Sequence, residues 1–400
     1  LKESITKGRI EAAVKNNLAW FMNSGIMDPC DGTWGVGERV LLTKGNSAVE
    51  IAYKSFSSYT PFDGYSILEH RRPDCNFETA VLFLAAGIYF GEEEYTNIGR
   101  NILRYLFRRS GTWRVDEKDP ARWLWRWANP QWSGICWVDD NSWNCTMALA
   151  AARLDPVIDK ELGLRAAGLR TGESLLALAQ DVLDGASNYD VNVTGGRNMA
   201  PHFMGLAAMA MAFIYKETGN EACRQAVRKY MECISKEQST SNHAYLVMAF
   251  SVCATLFDDA EMADIARASA DYLISRMGAK GDIPSEHSEA PEGTELVDTI
   301  YTQNWALLGF QSLWMLTGLP QYKSALDKTI ELIASIQDTS PQKHLFGCWR
   351  GMFDIKTNSW GGGDRYEGGA NSIYSGWTNA PISLALLFEL NGKSLQHLML

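Results

Sequence analysis

Two adjacent aspartates lie where a polar loop gives way to helix-type apolar spacing, in Trp137-Val138-Asp139-Asp140-Asn141-Ser142-Trp143. One Asp in such a place is an N-cap, its carboxylate accepting the free N–H groups of a first helical turn. One cap needs one side chain, so the second carboxylate is left for chemistry. Paired carboxylates suit acetal hydrolysis: one protonates the leaving oxygen and another activates water, across roughly 6.5–9.5 Å in an inverting enzyme. A neighbouring negative charge raises a carboxylate's proton affinity, so Asp140 is expected to be the general acid, with Asp139 holding it or orienting the substrate. A third aspartate, Asp74, opens another helical segment, Arg71-Arg72-Pro73-Asp74-Cys75-Asn76-Phe77-Glu78. The partner base is Asp74, Glu78 or Asp298, and spacing does not choose among them.

Four more helix starts carry polar or aromatic side chains: Arg197–His202, Ser241–Tyr245 with His243, Asp298–Gln303 with Tyr301, and Tyr374–Asn379 with Trp377. Each histidine alone is more often structural than functional. No HxxxH, HExxH or paired-cysteine spacing is present, so neither metal nor cofactor is expected. Ten of the fourteen tryptophans fall in three loops: Trp34, Trp113, Trp123, Trp125, Trp127, Trp132, Trp137, Trp349, Trp360 and Trp377. Arg122-Trp123-Leu124-Trp125-Arg126-Trp127 alternates like a strand with tryptophan on one face. Flat rings beside carboxylates suit sugars, which present apolar C–H faces and a polar rim; the competing reading is that the rings pack loops onto the fold. Trp137, Trp143, Trp349 and Trp377 are the candidate platforms, with Glu78, His202, His243, Tyr301 and Gln303 as polar contacts. Arg71, Arg72, Arg197, Arg350 or Arg365 would fork the carboxylate of a uronic acid, against ordinary surface ion pairing. The glycine-rich run 361–369 lacks the GKS/T ending of a phosphate loop and reads as backbone that can approach a ligand.

Apolar periodicity predicts twelve helices, at 2–24, 74–90, 93–109, 140–153, 163–184, 200–216, 219–235, 241–255, 259–276, 299–317, 320–337 and 379–391, with strand signals at 33–41 and 49–55. Connections after the second, sixth, eighth and tenth helices are very short, and Asp155–Leu162 after the fourth is brief. Those after the first, third, fifth, ninth and eleventh are long; only 236–240 breaks the alternation. Short connections make antiparallel hairpins, and every second connection lies at one end. Pro201–Tyr215 and Gln303–Leu316 are apolar nearly all round, as buried helices are, whereas 219–235 has a polar face. The expected fold is all-α: one domain over residues 1–400, an (α/α)6 toroid with even-numbered helices inside and long loops at one end. The alternative is an open solenoid, against which the unequal hairpin lengths argue.

With 46% hydrophobic and 21% charged residues, the chain can build a sizeable core. A net charge of −10 argues against nucleic acid as a partner, and no apolar run approaches the roughly 20 residues of a membrane span. The eight cysteines, spread along apolar helices, do not suggest a disulfide framework. The chain begins at Leu1 rather than Met, so a missing N-terminal segment is expected, leaning slightly towards a periplasmic or secreted protein, with a cytoplasmic one the alternative.

The Asp-Asp opening of the fourth helix resembles the six-hairpin glycosidase superfamily. Unsaturated glucuronyl and rhamnogalacturonyl hydrolases of that superfamily carry a functional Asp there and a second near the start of the second helix, where Asp74 stands. Endo-α-1,6-mannanases carry an Asp-Asp pair like Asp139-Asp140. Arg197-Asn198-Met199-Ala200-Pro201-His202 departs from the uronyl-hydrolase pattern, and Arg71-Arg72 from the mannanase one. With Gly35-Val36-Gly37-Glu38, the chain looks most like a bacterial branch that includes β-glucuronidase activity. The resemblance implies a glycoside hydrolase of oligo- or polysaccharides, with uronic acid the expected sugar. A sugar isomerase or epimerase working through His202 and His243, a lyase, and a non-catalytic glycan-binding protein are the alternatives.

Overall fold

The computed structural model describes residues 6–42, 59–129, 135–183, 193–194, 199–286, 295–362 and 368–400. The helices are α1 (Lys7–Asn23), α2 (Pro73–Phe90), α3 (Glu93–Arg108), α4 (Val138–Leu154), α5 (Leu164–Leu183), α6 (Leu206–Thr218), α7 (Glu221–Cys233), α8 (Thr240–Phe257), α9 (Ala260–Arg276), α10 (Gln303–Thr317), α11 (Pro320–Ile336) and α12 (Ala380–Asn391). The even helices form a closed ring, in which α2 packs on α4, α4 on α6, α6 on α8, α8 on α10, α10 on α12, and α12 back on α2. Each odd helix from α3 to α11 lies outside the even helix before it, and α1 packs on α12 to complete the sixth pair. This is the (α/α)6 toroid.

Burial follows from the sequence pattern. Every residue of Leu206–Ile214 in α6 and of Ala380–Phe388 in α12 is buried. In α3 only Ile98, Gly99, Ile102, Leu103, Tyr105 and Leu106 are, the three-and-four spacing of a one-sided helix. The hairpins turn at Gly91, Gly219 and Gly318, all left-handed at φ 71°, 69° and 64°, a conformation glycine takes without steric cost. Asp258 serves the same turn at φ 55°. Asp155–Leu162, expected as a connection, contains a short helix, Pro156–Leu162: the Asp155 side chain caps two of its N–H groups, and a proline occupies its first position. All eight cysteines are free, six of them buried. Among the described residues, no helix is long and apolar enough to cross a membrane.

Short strands tie the long loops together at one end. A four-stranded sheet runs β2 (Tyr59–Pro61), β3 (Tyr65–Leu68), β1 (Arg39–Leu42), β9 (Ser372–Tyr374), with Arg39 opposite both Leu68 and Tyr374. It therefore sets the loop before α2 beside the loop before α12. β4 (Cys136–Trp137) pairs with β5 (Val193–Thr194), and β6 (Leu296–Asp298), β7 (Met352–Asp354) and β8 (Ser359–Trp360) form a third sheet. The strand expected at 33–41 is realised only at its end, in β1; 49–55 lies outside the described residues.

Four inner helices use a first-turn asparagine as a clamp on neighbouring loop backbone. Asn76 holds both backbone groups of Val36, Asn141 both of Trp125, and Asn379 both of Trp349. Asn304 donates to the carbonyls of Ile300 and Trp377. A buried amide with two donors and an acceptor can satisfy a loop strand that has no ladder partner.

Candidate active site

The N-termini of the inner helices converge at the loop end, and the first-turn aspartates are not caps. The cap positions of α2 and α4 are Arg72 and Trp137, neither with a side-chain capping bond. Asp74, Asp139 and Asp140 sit one turn inside, with their carboxylates turned to other groups.

Arg72 is the centre of the cluster. Its Nε and Nη2 hold Asp74 at 3.1 and 2.5 Å, Nη2 also reaches Asp140 Oδ1 at 3.0 Å, and Nη1 donates to Glu38 Oε1 at 3.0 Å. Asp74 is further held by the Trp377 indole N–H. Both of its oxygens are thus engaged, and it is poorly placed to activate water. Glu38 is completely buried; burial pushes its carboxyl up, but Arg39, His70 and Arg72 outweigh that and hold it well below the usual carboxylate range. The opposite holds at Asp140. Burial, against the pull of Arg72 and with the charges of Asp74 and Asp139 and a hydrogen bond shared with Asp74, pushes its carboxyl well above the usual range. Burial and then Asp74 push Glu78 up in the same way. Glu78 Oε2 accepts the backbone N–H of Trp377 at 2.6 Å.

Between the neighbouring starts of α4 and α6, His202 Nε2 lies 2.8 Å from Asp139 Oδ2. The imidazole is stacked between Phe203 and Tyr245, with ring centres 4.8 and 4.9 Å away, and is flanked by Tyr301 and Trp377 at 5.6 and 5.5 Å. Trp305 packs against Trp143, Tyr245 and Trp377, forming an aromatic floor. His202 occupies a π-helical turn, Pro201–Gly205, a form concentrated at functional sites, and Trp377 sits at a kink in the chain ahead of α12. Trp377 has φ 50°, left-handed for a bulky residue; such backbone costs about 1–3 kcal/mol and persists where surrounding bonds over-determine it. Glu78, Asp74 and Asn304 supply those bonds.

Gly376 makes this packing possible. A Cβ there would stand 2.6 Å from Cys75 Cα and 2.8 Å from Glu78 Oε2. Gly376→Ala is expected to push Trp377 off Glu78 and Asp74, destabilising the protein by about 1–3 kcal/mol and lowering turnover. Thermal unfolding and kcat check this; a variant equal to wild type in both would refute it.

Several residues expected in the site lie elsewhere. His243 stacks on Tyr272 of α9 at 4.1 Å, and burial pushes it down to about 4. Gln303 fastens the α9–α10 loop through Ile283 N–H and the Gly281 carbonyl. Trp349 is fully buried and donates to the Ile333 carbonyl. Arg350 is held by Asp338 at 2.6 Å, and Arg71 by Glu69 at 2.7 Å on the outer side of the loop. Asp298 Oδ1 accepts the N–H groups of Ile300 and Tyr301 and so positions Tyr301. Arg197, Trp132, Arg365 and the centre of the glycine-rich run lie outside the described residues. Most loop tryptophans take the packing role: Trp125 is buried, stacked on Trp113 at 5.5 Å and edge-on to Phe77 and Phe107. The strand expected at 122–127 is interrupted by Trp123 at φ 74°, leaving one bridge between Trp113 and Trp125. Trp137 is half-buried at the start of α4, and Trp127 lies over Arg72 and His70. Glu38 is the member that sequence reasoning missed as a site residue. Its one signal is an acid–base pair, Glu38-Arg39, inside the apolar run 36–42. Among the described residues, no group of three or more His, Cys, Asp and Glu side chains could hold a metal ion.

No family model and no curated protein sequence matches the chain. Solved structures do. Cellobiose 2-epimerase from Bacillus thermoamylovorans superposes with a TM-score of 0.64 at 11% identity, over 96% of this chain and 99% of that one. Unsaturated glucuronyl hydrolase from Streptococcus agalactiae gives 0.61 at 13%, over 99% and 95%, and a D-mannose isomerase 0.62 at 11%, over 97% and 98%. The chain therefore shares the (α/α)6 toroid fold of these structures.

Proposed function

We propose that the protein is a glycoside hydrolase acting on an oligosaccharide, with Asp140 as the general acid. The observation that carries this is the Arg72 cluster: one guanidinium holds Asp74 and Asp140 together, while burial, with Asp74 and Asp139 beside it, raises the proton affinity of the Asp140 carboxyl. A carboxyl whose proton affinity is raised in this way is suited to deliver a proton to the leaving oxygen. Asp139, braced by His202 with its Oδ1 unpartnered, is the carboxylate positioned to take a proton from the attacking water. Asp74 positions Arg72 and Trp377. The buried cluster of Trp143, Tyr245, Trp305 and Trp377 packs beside His202 and holds it in place. The structural likeness to an unsaturated glucuronyl hydrolase makes uronic-acid saccharides the first substrates to try. Among the described residues, however, Arg71, Arg72 and Arg350 already hold carboxylates, so a uronate fork would fall to Arg197 or Arg365.

A second reading, sugar epimerisation or isomerisation, is favoured by the His202–Asp139 pair and by the likeness to the epimerase and isomerase. It has lost His243 as a second proton carrier. Purified protein is expected to release reducing ends from saturated or unsaturated uronic-acid oligosaccharides or from α-mannan. Deuterium uptake from solvent at C2 of cellobiose or mannose, without hydrolysis, would instead establish the second reading. No reaction with any of these would overturn the enzyme assignment.

A further inference from the structure

A cleft lies beside the Arg72 cluster, with one chain segment as the wall between them. The wall is the segment Glu69–Arg72, whose Arg71 exchanges both backbone hydrogen bonds with Asn129, at 2.9 and 3.3 Å. Successive side chains of an extended chain face opposite ways. Arg72 faces the carboxylates of the cluster, and Arg71 faces the cleft, a cavity of about 390 Å³ being distinct from it further along α3 and the cleft itself measuring about 350 Å³. Asp28, Trp34, Glu69, Arg109 and Asn129 line it with Arg71.

Trp34 is 53% exposed, yet the loop carrying it is fastened on every side. Arg71 Nε donates to the Trp34 carbonyl at 3.0 Å, Arg109 Nη1 to the Thr33 carbonyl at 3.1 Å, and Asn76 Oδ1 accepts the Val36 N–H at 2.8 Å. The Arg109 guanidinium lies 5.0 Å from the ring centre. An indole held out on fixed backbone contributes little to the core and presents a flat apolar surface to solvent. Around it stand the Glu69–Arg71 ion pair at 2.7 Å, the Asp28 carboxylate and the Asn129 amide. Forked donors and acceptors beside one aromatic plane match the paired hydroxyls and C–H face of a pyranose.

We propose that this cleft is an outer saccharide subsite, binding a pyranose unit of the same oligosaccharide whose linkage is cleaved at Asp140. It rests on the hydrolase reading and deepens it, since the Glu69–Arg72 segment carries Arg72 of the carboxylate cluster on one face and Arg71 of the cleft on the other. The substrate is then a chain of at least three sugars.

The test uses Trp34→Ala and Trp34→Phe in the full-length protein, each in an Asp140→Asn background for calorimetric binding of uronic-acid oligosaccharides of two, four and six units. Trp34→Ala is expected to weaken hexasaccharide binding about tenfold more than disaccharide binding, and Trp34→Phe to restore most of it. In the active protein the same ratio should appear in KM. Equal effects at all lengths, unchanged affinity, or no binding by the parent protein would overturn the subsite. Hydrolysis that persists with no length dependence would overturn it while leaving the hydrolase standing. Length-dependent binding without hydrolysis would do the reverse.

Discussion

Asp140→Asn is expected to lower turnover about 10²–10⁴-fold on any saccharide the protein cleaves, and at the same time to raise its thermal stability at neutral pH. The two effects share one cause. Burial, only partly offset by Arg72 and reinforced by Asp74 and Asp139, holds the Asp140 carboxyl well above its ordinary value of 3.8. Between those two values the unfolded chain has released its proton and the folded chain has kept it. The unfolded state then binds fewer protons, so stability falls as pH rises through the window. Asparagine carries no such penalty, and its amide oxygen can still accept from Arg72. The gain in Tm should therefore be small at about pH 4 and larger at about pH 8. Unchanged kcat would remove Asp140 as the acid; a lower Tm at the higher pH would show that its bond to Arg72 outweighs burial.

The barrel could be read from the chain because its signals are local and repeated. Gly91, Gly219 and Gly318 stop helices where the apolar stripe ends, and the all-round apolar runs of α6 and α10 leave them nowhere but inside. The site was harder to read, for physical reasons. Whether an Asp caps a helix or lies in its first turn depends on a shift of one or two residues, which propensity does not resolve. Pro73 starts α2 one residue before Asp74, so Arg72 takes the cap position and the carboxylate is freed. Tryptophan is equally suited to a sugar face and to packing a loop, and only contacts such as Trp125 on Phe77 decide between them. Arg71 and Arg72 are identical in type, yet alternation along an extended segment sends one outward to Glu69 and the other inward to three carboxylates. Glu38 reaches the site through a strand register, Arg39 opposite Leu68 and Tyr374, that pairs residues from distant parts of the chain.

Arg72→Met should be the most damaging single change to the fold around the site. The guanidinium side chain is 9% exposed and contacts Glu38, Asp74 and Asp140. Removing one member of a buried ionic cluster leaves its partners uncompensated, which costs about 3–5 kcal/mol. Arg39 remains to pair with Glu38 at 3.0 Å, but Asp74 loses its cation and Asp140 its Nη2 donor. The pH dependence has a definite sign. Glu38 is held below its ordinary value, so its contribution is complete above that value and disappears as pH falls through the depressed one. The stability difference between wild type and Arg72→Met, measured by urea unfolding, should be largest near neutral pH and shrink on acidification as the orphaned carboxyls take up protons. Arg72→Lys separates charge from shape. An ammonium restores one positive charge but cannot present the planar fork that reaches Glu38 with one arm and two aspartates with the others. It should recover part of the stability and little of the turnover. If Arg72→Met unfolds within about 0.5 kcal/mol of wild type, the cluster is not what holds these loops, and the positioning of Asp140 must come from the Asn141 clamp and the aromatic floor instead.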